Sequence, residues 1–202
     1  MMTELVALNS ESATNRLVLL HGWGADAQDL LPVGQLLTDG FKDSFEIVSF
    51  CAPQPHPSGL GRQWYPLYPH KWEQVPGAVL DLDRRLNNLC FDKIPLKKTL
   101  ILGFSQGGAM ALELANRNKF EAVFALSSYP HPEWQPTKGM PPVFLFHGNM
   151  DQVVPKEASQ KSFNNLRKNG IRSELYFFEG GHEINNDLID HCSRIIKDKF
   201  IS

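Results

Sequence analysis

Cysteine is scarce in this chain: Cys51, Cys90 and Cys192 are three residues scattered through 202. Their odd number, and the lack of any C-x-x-C pair, argue against a disulfide framework and a structural zinc site. Buried free thiols in a reducing compartment are the simpler expectation. An excess of one charge is also lacking. Twenty Lys and Arg against 22 Asp and Glu leave a formal net charge of −2, with no basic block, so nucleic acid is a poor candidate partner. No apolar run reaches membrane-spanning length, and the Met1-Met2-Thr3-Glu4 start lacks a basic segment followed by an apolar one. No stable membrane insertion is expected, and the chain reads as soluble and cytoplasmic. At 42% hydrophobic and 21% charged residues, the composition is that of a globular protein. The length suits one domain, 1–202, with a substantial core; it leaves the oligomeric state open.

What is present is an alternation of strand-like and helix-like segments, which predicts an α/β domain with a mostly parallel central sheet. Leu17-Val18-Leu19-Leu20, Phe45-Glu46-Ile47-Val48-Ser49-Phe50, Leu100-Ile101-Leu102, Ala122-Val123-Phe124-Ala125-Leu126, Val143-Phe144-Leu145-Phe146 and Glu174-Leu175-Tyr176-Phe177-Phe178 are the expected strands. Continuous apolar runs of this kind suit strands covered on both faces. Val75, Val79, Leu82, Leu86 and Leu89 recur at helical spacing, as do Leu188, Ile189, Cys192, Ile195, Ile196 and Phe200. A more polar helix is bracketed by Pro155 and Gly170. Residues 53–71, rich in Pro and Gly and then in Trp and Tyr, read as a long ordered loop whose aromatics offer apolar surface to a ligand or pin the loop to the core.

The most telling stretch is Gly103-Phe104-Ser105-Gln106-Gly107, between an apolar strand and a run of helix formers. This is the setting of a G-x-S-x-G nucleophile elbow: the glycines let strand and helix approach, and the serine is exposed on the sharp turn between them. The helix N-terminus adds a favourable field for developing negative charge.

A serine hydroxyl needs a base, and histidine is the natural one near neutral pH. Of the seven histidines, His182 follows an expected strand and a Gly-Gly pair, so it falls in a loop at the C-terminal edge of a parallel sheet. His21 and His147 stand at strand ends before glycine and read as structural. His191 lies within an amphipathic stripe, and His56, His70 and His131 lie in Pro-rich loops. Asp151, in the loop after the fifth expected strand, is the candidate acid that orients the imidazole; Glu183 and Glu179 are weaker rivals. The order Ser105, Asp151, His182 is that of α/β-hydrolases. Oxyanion donors are expected from the backbone N–H of Gln106 and from the loop His21-Gly22-Trp23-Gly24-Ala25-Asp26, where glycines flank Trp23.

That loop admits a competing reading. Gly22-Trp23-Gly24-Ala25-Asp26-Ala27 fits G-x-G-x-x-A, the dinucleotide-binding fingerprint of a reductase. Trp23 is bulky where a pyrophosphate must approach, and the second strand ends in Phe50-Cys51-Ala52-Pro53 without the acid that would hold a ribose.

His21-Gly22-Trp23-Gly24, Gly103-Phe104-Ser105-Gln106-Gly107-Gly108, His147-Gly148-Asn149-Met150-Asp151 and Gly180-Gly181-His182-Glu183 together resemble the carboxylesterase/phospholipase-like α/β-hydrolases that include acyl-protein thioesterases. The resemblance spans nearly the whole chain. It implies a compact α/β-hydrolase fold, helices on both faces of the sheet and no large cap domain. It implies Ser105, Asp151 and His182 as catalytic triad and Trp23 and Gln106 as oxyanion donors. It also implies a small or acyl-chain ester or thioester substrate in an apolar groove, with Trp64 and Tyr65 resembling part of its wall. Val153, just beyond the acid, is a further expected substrate contact. The chain departs from the family pattern at Ala25, at Trp64-Tyr65-Pro66 and at Ser127-Ser128-Tyr129, all outside the triad. An acyl-enzyme mechanism of this kind calls for no metal or organic cofactor. The reading from another class is a hydrolase-fold ligand receptor without turnover.

Overall fold

In the computed structural model the described residues are 5–8, 11–89 and 93–201; Cys90 and the Met1-Met2-Thr3-Glu4 start lie outside them. The chain order is β1 (Leu5–Leu8), β2 (Asn15–Leu20), α1 (Leu31–Thr38), β3 (Phe45–Phe50), β4 (Gln54–Pro55), β5 (Arg62–Gln63), α2 (Val75–Asn87), β6 (Thr99–Phe104), α3 (Gln106–Ala115), β7 (Ala122–Leu126), β8 (Val143–Gly148), α4 (Glu157–Lys168), β9 (Ser173–Phe178) and α5 (Asn186–Phe200). Seven strands form one sheet in the order β1-β3-β2-β6-β7-β8-β9, all parallel except β1, which pairs antiparallel with β3.

Why the strand sequences are almost wholly apolar is plain from their alternation. Val18, Leu20, Val48, Ile101, Val123 and Ala125 face one core with Val79 and Leu82 of α2, Met110 and Leu114 of α3 and Leu166 of α4. Leu17, Leu19, Ile47, Leu100, Leu102, Phe124 and Phe146 face the opposite core with Leu31 and Leu37 of α1 and Leu188, Cys192 and Ile196 of α5. Side chains alternate sides along a strand, so a sheet covered on both faces needs apolar residues at successive positions. Each such side chain, fully buried, contributes about 1.5–3 kcal/mol.

All six expected strands are present, as are the expected helices, the one after the elbow included, and α4 ends where Gly170 adopts φ +72. Outside residues 53–71, two elements went unforeseen. β1 is a short edge strand. α1 carries Gly34 at its centre, where a Cβ would lie 2.8 Å from Leu19 Cδ1 and 3.2 Å from Ile47 Cγ2, so the helix packs closer to the sheet than a larger residue permits. Within the expected loop, β4 and β5 form a two-stranded ladder, so part of it is strand after all.

The chain runs from β2 to β3 in one direction and then returns to place β6 on the other side of β2. The loops leaving β2 and β6 therefore diverge at neighbouring carboxyl ends. Ligand crevices of open α/β sheets lie at such a reversal.

Candidate active site

Ser105 joins β6 to α3 with φ 53 and ψ −116, a left-handed conformation that a side chain rarely adopts. Surrounding bonds hold it there. Its N–H donates to Leu126 O at 2.8 Å, and its carbonyl accepts from Gly108 N at 3.0 Å, Ala109 N at 3.1 Å and Ser128 Oγ at 3.1 Å. The glycines around it are required sterically: a Cβ on Gly103 would meet Gly107 O at 2.2 Å, and one on Gly107 would meet Leu20 O at 2.0 Å. Those contacts are backbone against backbone, so no rotamer change relieves them.

His182 sits in the loop between β9 and α5, and its Nδ1 lies 2.7 Å from Asp151 Oδ2. A carboxylate only accepts, so Nδ1 carries a proton, and in the neutral ring Nε2 is the nitrogen with the free lone pair. The far end of this loop is secured by Asn185, whose side chain caps α5 at Leu188 N (3.1 Å) and donates to Glu179 O (3.1 Å). Asp151 is saturated with donors: Oδ1 accepts from Val153 N and Val154 N, both at 2.9 Å. Burial pushes its carboxyl pKa up, but the bonds from His182, Val154 and Val153 outweigh this and hold it below the usual carboxylate value. The rival acids are engaged elsewhere, Glu183 with Gly181 N and Glu179 with Asn149 Nδ2.

Ser105 and His182 line one cavity of about 440 Å³, and the His182 ring packs 4.8 Å from that of Phe104. Among the described residues no hydrogen bond joins Ser105 Oγ to His182; catalytic contacts of this kind are often long before substrate arrives. The loop after β2 flanks the serine, since a Cβ on Gly22 would lie 3.6 Å from Ser105 Cβ. Among the described residues, neither Trp23 N–H nor Gln106 N–H donates a hydrogen bond. The loop is clamped by the β4–β5 hairpin, through Gly24 N to Arg62 O and Arg62 N to Ala25 O (2.8 Å each), and by Trp23 Nε1 to Gln63 Oε1 (2.9 Å). It does not open a helix, for α1 begins only at Leu31. A dinucleotide fingerprint needs the helix N-terminus at the glycines, and that reading loses its structural basis here.

The expectation that Trp64 and Tyr65 contact substrate is corrected. Both side chains have 0% exposure and lie behind the cavity wall. Trp64 Nε1 donates to His21 O at 2.9 Å. The Gln106 side chain locks both residues to the elbow, with Oε1 accepting from Trp64 N (3.0 Å) and Nε2 donating to Tyr65 O (2.7 Å). The wall is built instead by residues further along the same segment, Leu67, Tyr68, His70 and Trp72, with Tyr129 beside them. Val153, Val154, Pro155 and Ala158 complete the lining; Val153 is 68% exposed. A second hollow of about 500 Å³, walled by Phe144, Glu174 and Tyr176, contains none of the candidate residues.

Tyr129 is held by a buried chain that composition did not reveal. His131 joins Glu113 Oε1 (2.9 Å) to the Tyr65 hydroxyl (2.7 Å), which meets the Tyr129 hydroxyl at 2.8 Å. Burial raises the Tyr129 pKa to about 12 and that of Tyr65 well above its ordinary value, so both stay protonated at neutral pH. His21 is structural, as expected: Nδ1 lies 2.7 Å from Gly22 O, and Nε2 accepts from Ala52 N at 3.0 Å. Among the described residues no cluster of three or more His, Cys, Asp or Glu could hold a metal ion, and no helix is long and apolar enough to cross a membrane.

A sequence model of the phospholipase/carboxylesterase family matches residues 1–199. The chain belongs to that family. This phospholipase/carboxylesterase member is 26% identical over 202 residues to acyl-protein thioesterase 1 homolog 2 of Dictyostelium discoideum, with 87% of each chain covered. To homolog 1 of the same organism it is 32% identical over 113 residues, about half of either chain. Its fold matches the crystal structure of esterase PE8 with TM-score 0.87 and 30% identity, over 97% of this chain and 99% of the other. A Bacillus cereus carboxylesterase, at 16% identity, shares the fold with TM-score 0.82, over 96% and 92%. The family member described here is thus an α/β-hydrolase of the esterase and thioesterase kind.

Proposed function

We propose that this chain, acting as one cytoplasmic domain, hydrolyses esters or thioesters of apolar acyl groups through an acyl-serine intermediate. The observation that carries this reading is the 2.7 Å contact of Asp151 Oδ2 with His182 Nδ1, beside a serine held at positive φ in the same cavity. His182 Nε2 takes the Ser105 proton as Oγ bonds to the acyl carbon. The carbonyl oxygen, now anionic, receives the Trp23 and Gln106 N–H groups. The C–O or C–S bond to the leaving group breaks, and the leaving group departs with the proton from His182. Water repeats the sequence on the acyl-enzyme, giving the acid and free Ser105. Oxyanion donors of this type are each worth about 2.7–4 kcal/mol in the transition state.

The cavity supports an apolar, uncharged acyl group. Leu67, Tyr68, Trp72 and Phe104 line it together with Val153, Val154 and Pro155, and among the described lining residues none is Asp, Glu, Lys or Arg. The likeness to acyl-protein thioesterases admits an acyl-thioester substrate, with a lysophospholipid as the lipid counterpart. The buried free thiols of Cys51 and Cys192 suit a reducing compartment.

Ser105→Ala tests the assignment. It is expected to fold normally and to lose p-nitrophenyl ester hydrolysis by about a million-fold in kcat. A fluorophosphonate probe is expected to label wild-type protein at Ser105, identified by peptide mass spectrometry. Wild-type turnover in the alanine variant would refute the nucleophile; a wild-type protein that binds esters but neither labels nor turns over would be a receptor.

A further inference from the structure

One buried imidazole outside the triad touches the acid. His147, in β8, has 0% exposure. Its Nε2 lies 2.8 Å from Val154 O and 3.2 Å from Asp151 Oδ2, the oxygen that also accepts from His182. Because a carbonyl only accepts, Nε2 carries a proton. On the other side of the ring, Nδ1 lies 2.6 Å from Ser159 Oγ of α4. Burial lowers the His147 pKa, so at neutral pH the ring is neutral and Ser159 donates to Nδ1. The titratable groups acting on it are Asp151, which favours its charged form, and His182, which opposes it.

The contacts continue. With its one proton donated to Nδ1, Ser159 Oγ lies 3.3 Å from Ser128 O as a contact without a hydrogen bond, and Ser128 Oγ donates to Ser105 O at 3.1 Å. A series of buried polar contacts thus runs from the carboxylate of the acid through β8, α4 and the loop after β7 to the backbone of the nucleophile. Val154 belongs to the turn whose N–H groups hold Asp151 Oδ1; its carbonyl takes the Nε2 proton of His147, and Asp151 Oδ2 lies 3.2 Å from the same nitrogen.

We propose that His147 is a positioning residue of this hydrolase: its Nε2–H fixes Asp151 Oδ2 and the turn behind it, so that the carboxylate meets His182 in one orientation with its charge partly balanced. This rests on the triad reading above. Without the His147 dipole, the Asp151 charge acts undivided on His182 and favours its protonated, inactive resting form. The acidic limb of the pH–rate profile then moves to higher pH. Packing alone gives no such movement.

The experiment compares full-length wild type, Ser105→Ala, His147→Leu, His147→Gln and Ser159→Ala. It reads kcat and KM for p-nitrophenyl butyrate, the pH profile of kcat/KM, and thermal melting. His147→Leu is expected to lower kcat roughly tenfold to a hundredfold, the range for a hydrogen bond to a charged group, with KM little changed and the acidic limb moved upward. His147→Gln, whose amide N–H reaches where Nε2–H stood, is expected to return the limb to its wild-type place. Ser159→Ala is expected to move the limb in the same direction by less, because Nε2–H becomes a weaker donor once Nδ1 loses its partner. Should the leucine variant fail to fold, the serine variant and the glutamine variant carry the test. A folded His147→Leu or Ser159→Ala whose limb stays at the wild-type pH would overturn the proposal, whatever its kcat. A wild-type protein without Ser105-dependent turnover would instead overturn the triad reading, and the positioning role with it.

Discussion

His21 makes the stability of the fold depend on acid. Its ring is completely buried, Nδ1–H donates to Gly22 O at 2.7 Å, and Nε2 accepts from Ala52 N at 3.0 Å. Burial, the largest influence, lowers its pKa to about 4, against an ordinary 6.5 in the unfolded chain. The neutral ring is therefore what the fold selects, and protonation sets a new N–H against the Ala52 N–H. The stabilisation is complete above pH 6.5, is lost progressively as the pH falls toward about 4, and changes no further below that. The gap corresponds to about 3 kcal/mol, at about 1.4 kcal/mol per pH unit between those limits. His147 and Asp151 add their own pH dependence, so a difference measurement isolates His21. Gln at this position offers an oxygen to Ala52 N but does not titrate. Urea unfolding of wild type and His21→Gln between about pH 7 and 4 is expected to show the two curves converging as pH falls, the wild type losing about 3 kcal/mol more than the variant. Parallel curves, or an imidazole at residue 21 that titrates near 6.5 by NMR, would refute the reasoning.

Two further outcomes follow from the walls of the cavity. Gln106→Ala strands a buried Trp64 N–H and a buried Tyr65 carbonyl, each at about 1–3 kcal/mol, so calorimetry is expected to show Tm lower by roughly 10 °C; an unchanged Tm would contradict the clamp. Trp72→Ala opens one wall of the 440 Å³ cavity, and kcat/KM for p-nitrophenyl octanoate is expected to fall about tenfold relative to the acetate; equal loss on both esters would remove Trp72 from the acyl-binding surface.

The strands were legible because burial on both faces leaves little choice of residue. Phe45–Phe50 and Ala122–Leu126 have the bounds their apolar runs suggest. α1 was hidden because Gly34 weakens the helical pattern while serving a close approach to Leu19 and Ile47, a tertiary contact that no local propensity records. β4 and β5 were hidden for a related reason. Two residues per strand carry no periodicity, and the ladder exists because it also clamps the loop around Trp23.

The three candidate side chains of the triad were legible because each stands at a strand end beside glycines, where the main chain must turn sharply and where another backbone passes within contact. The cavity wall was not. Residues 53–71 announce a ligand-facing segment by composition, but not which of its aromatics face inward; that is decided by a partner 41 and 42 positions away, when Gln106 takes the main chain at Tyr65 and Trp64. Those two rings are thereby turned into the core, and the chain emerges into the cavity only at Leu67. One residue consequently sets both halves of the site. Its backbone N–H stands beside the nucleophile, and its side chain fixes how far the aromatic wall lies from it. A substitution at 106 that preserves the elbow while shortening the side chain should therefore disturb substrate fit before it disturbs the nucleophile, so KM for long acyl esters is the quantity in which its effect emerges first.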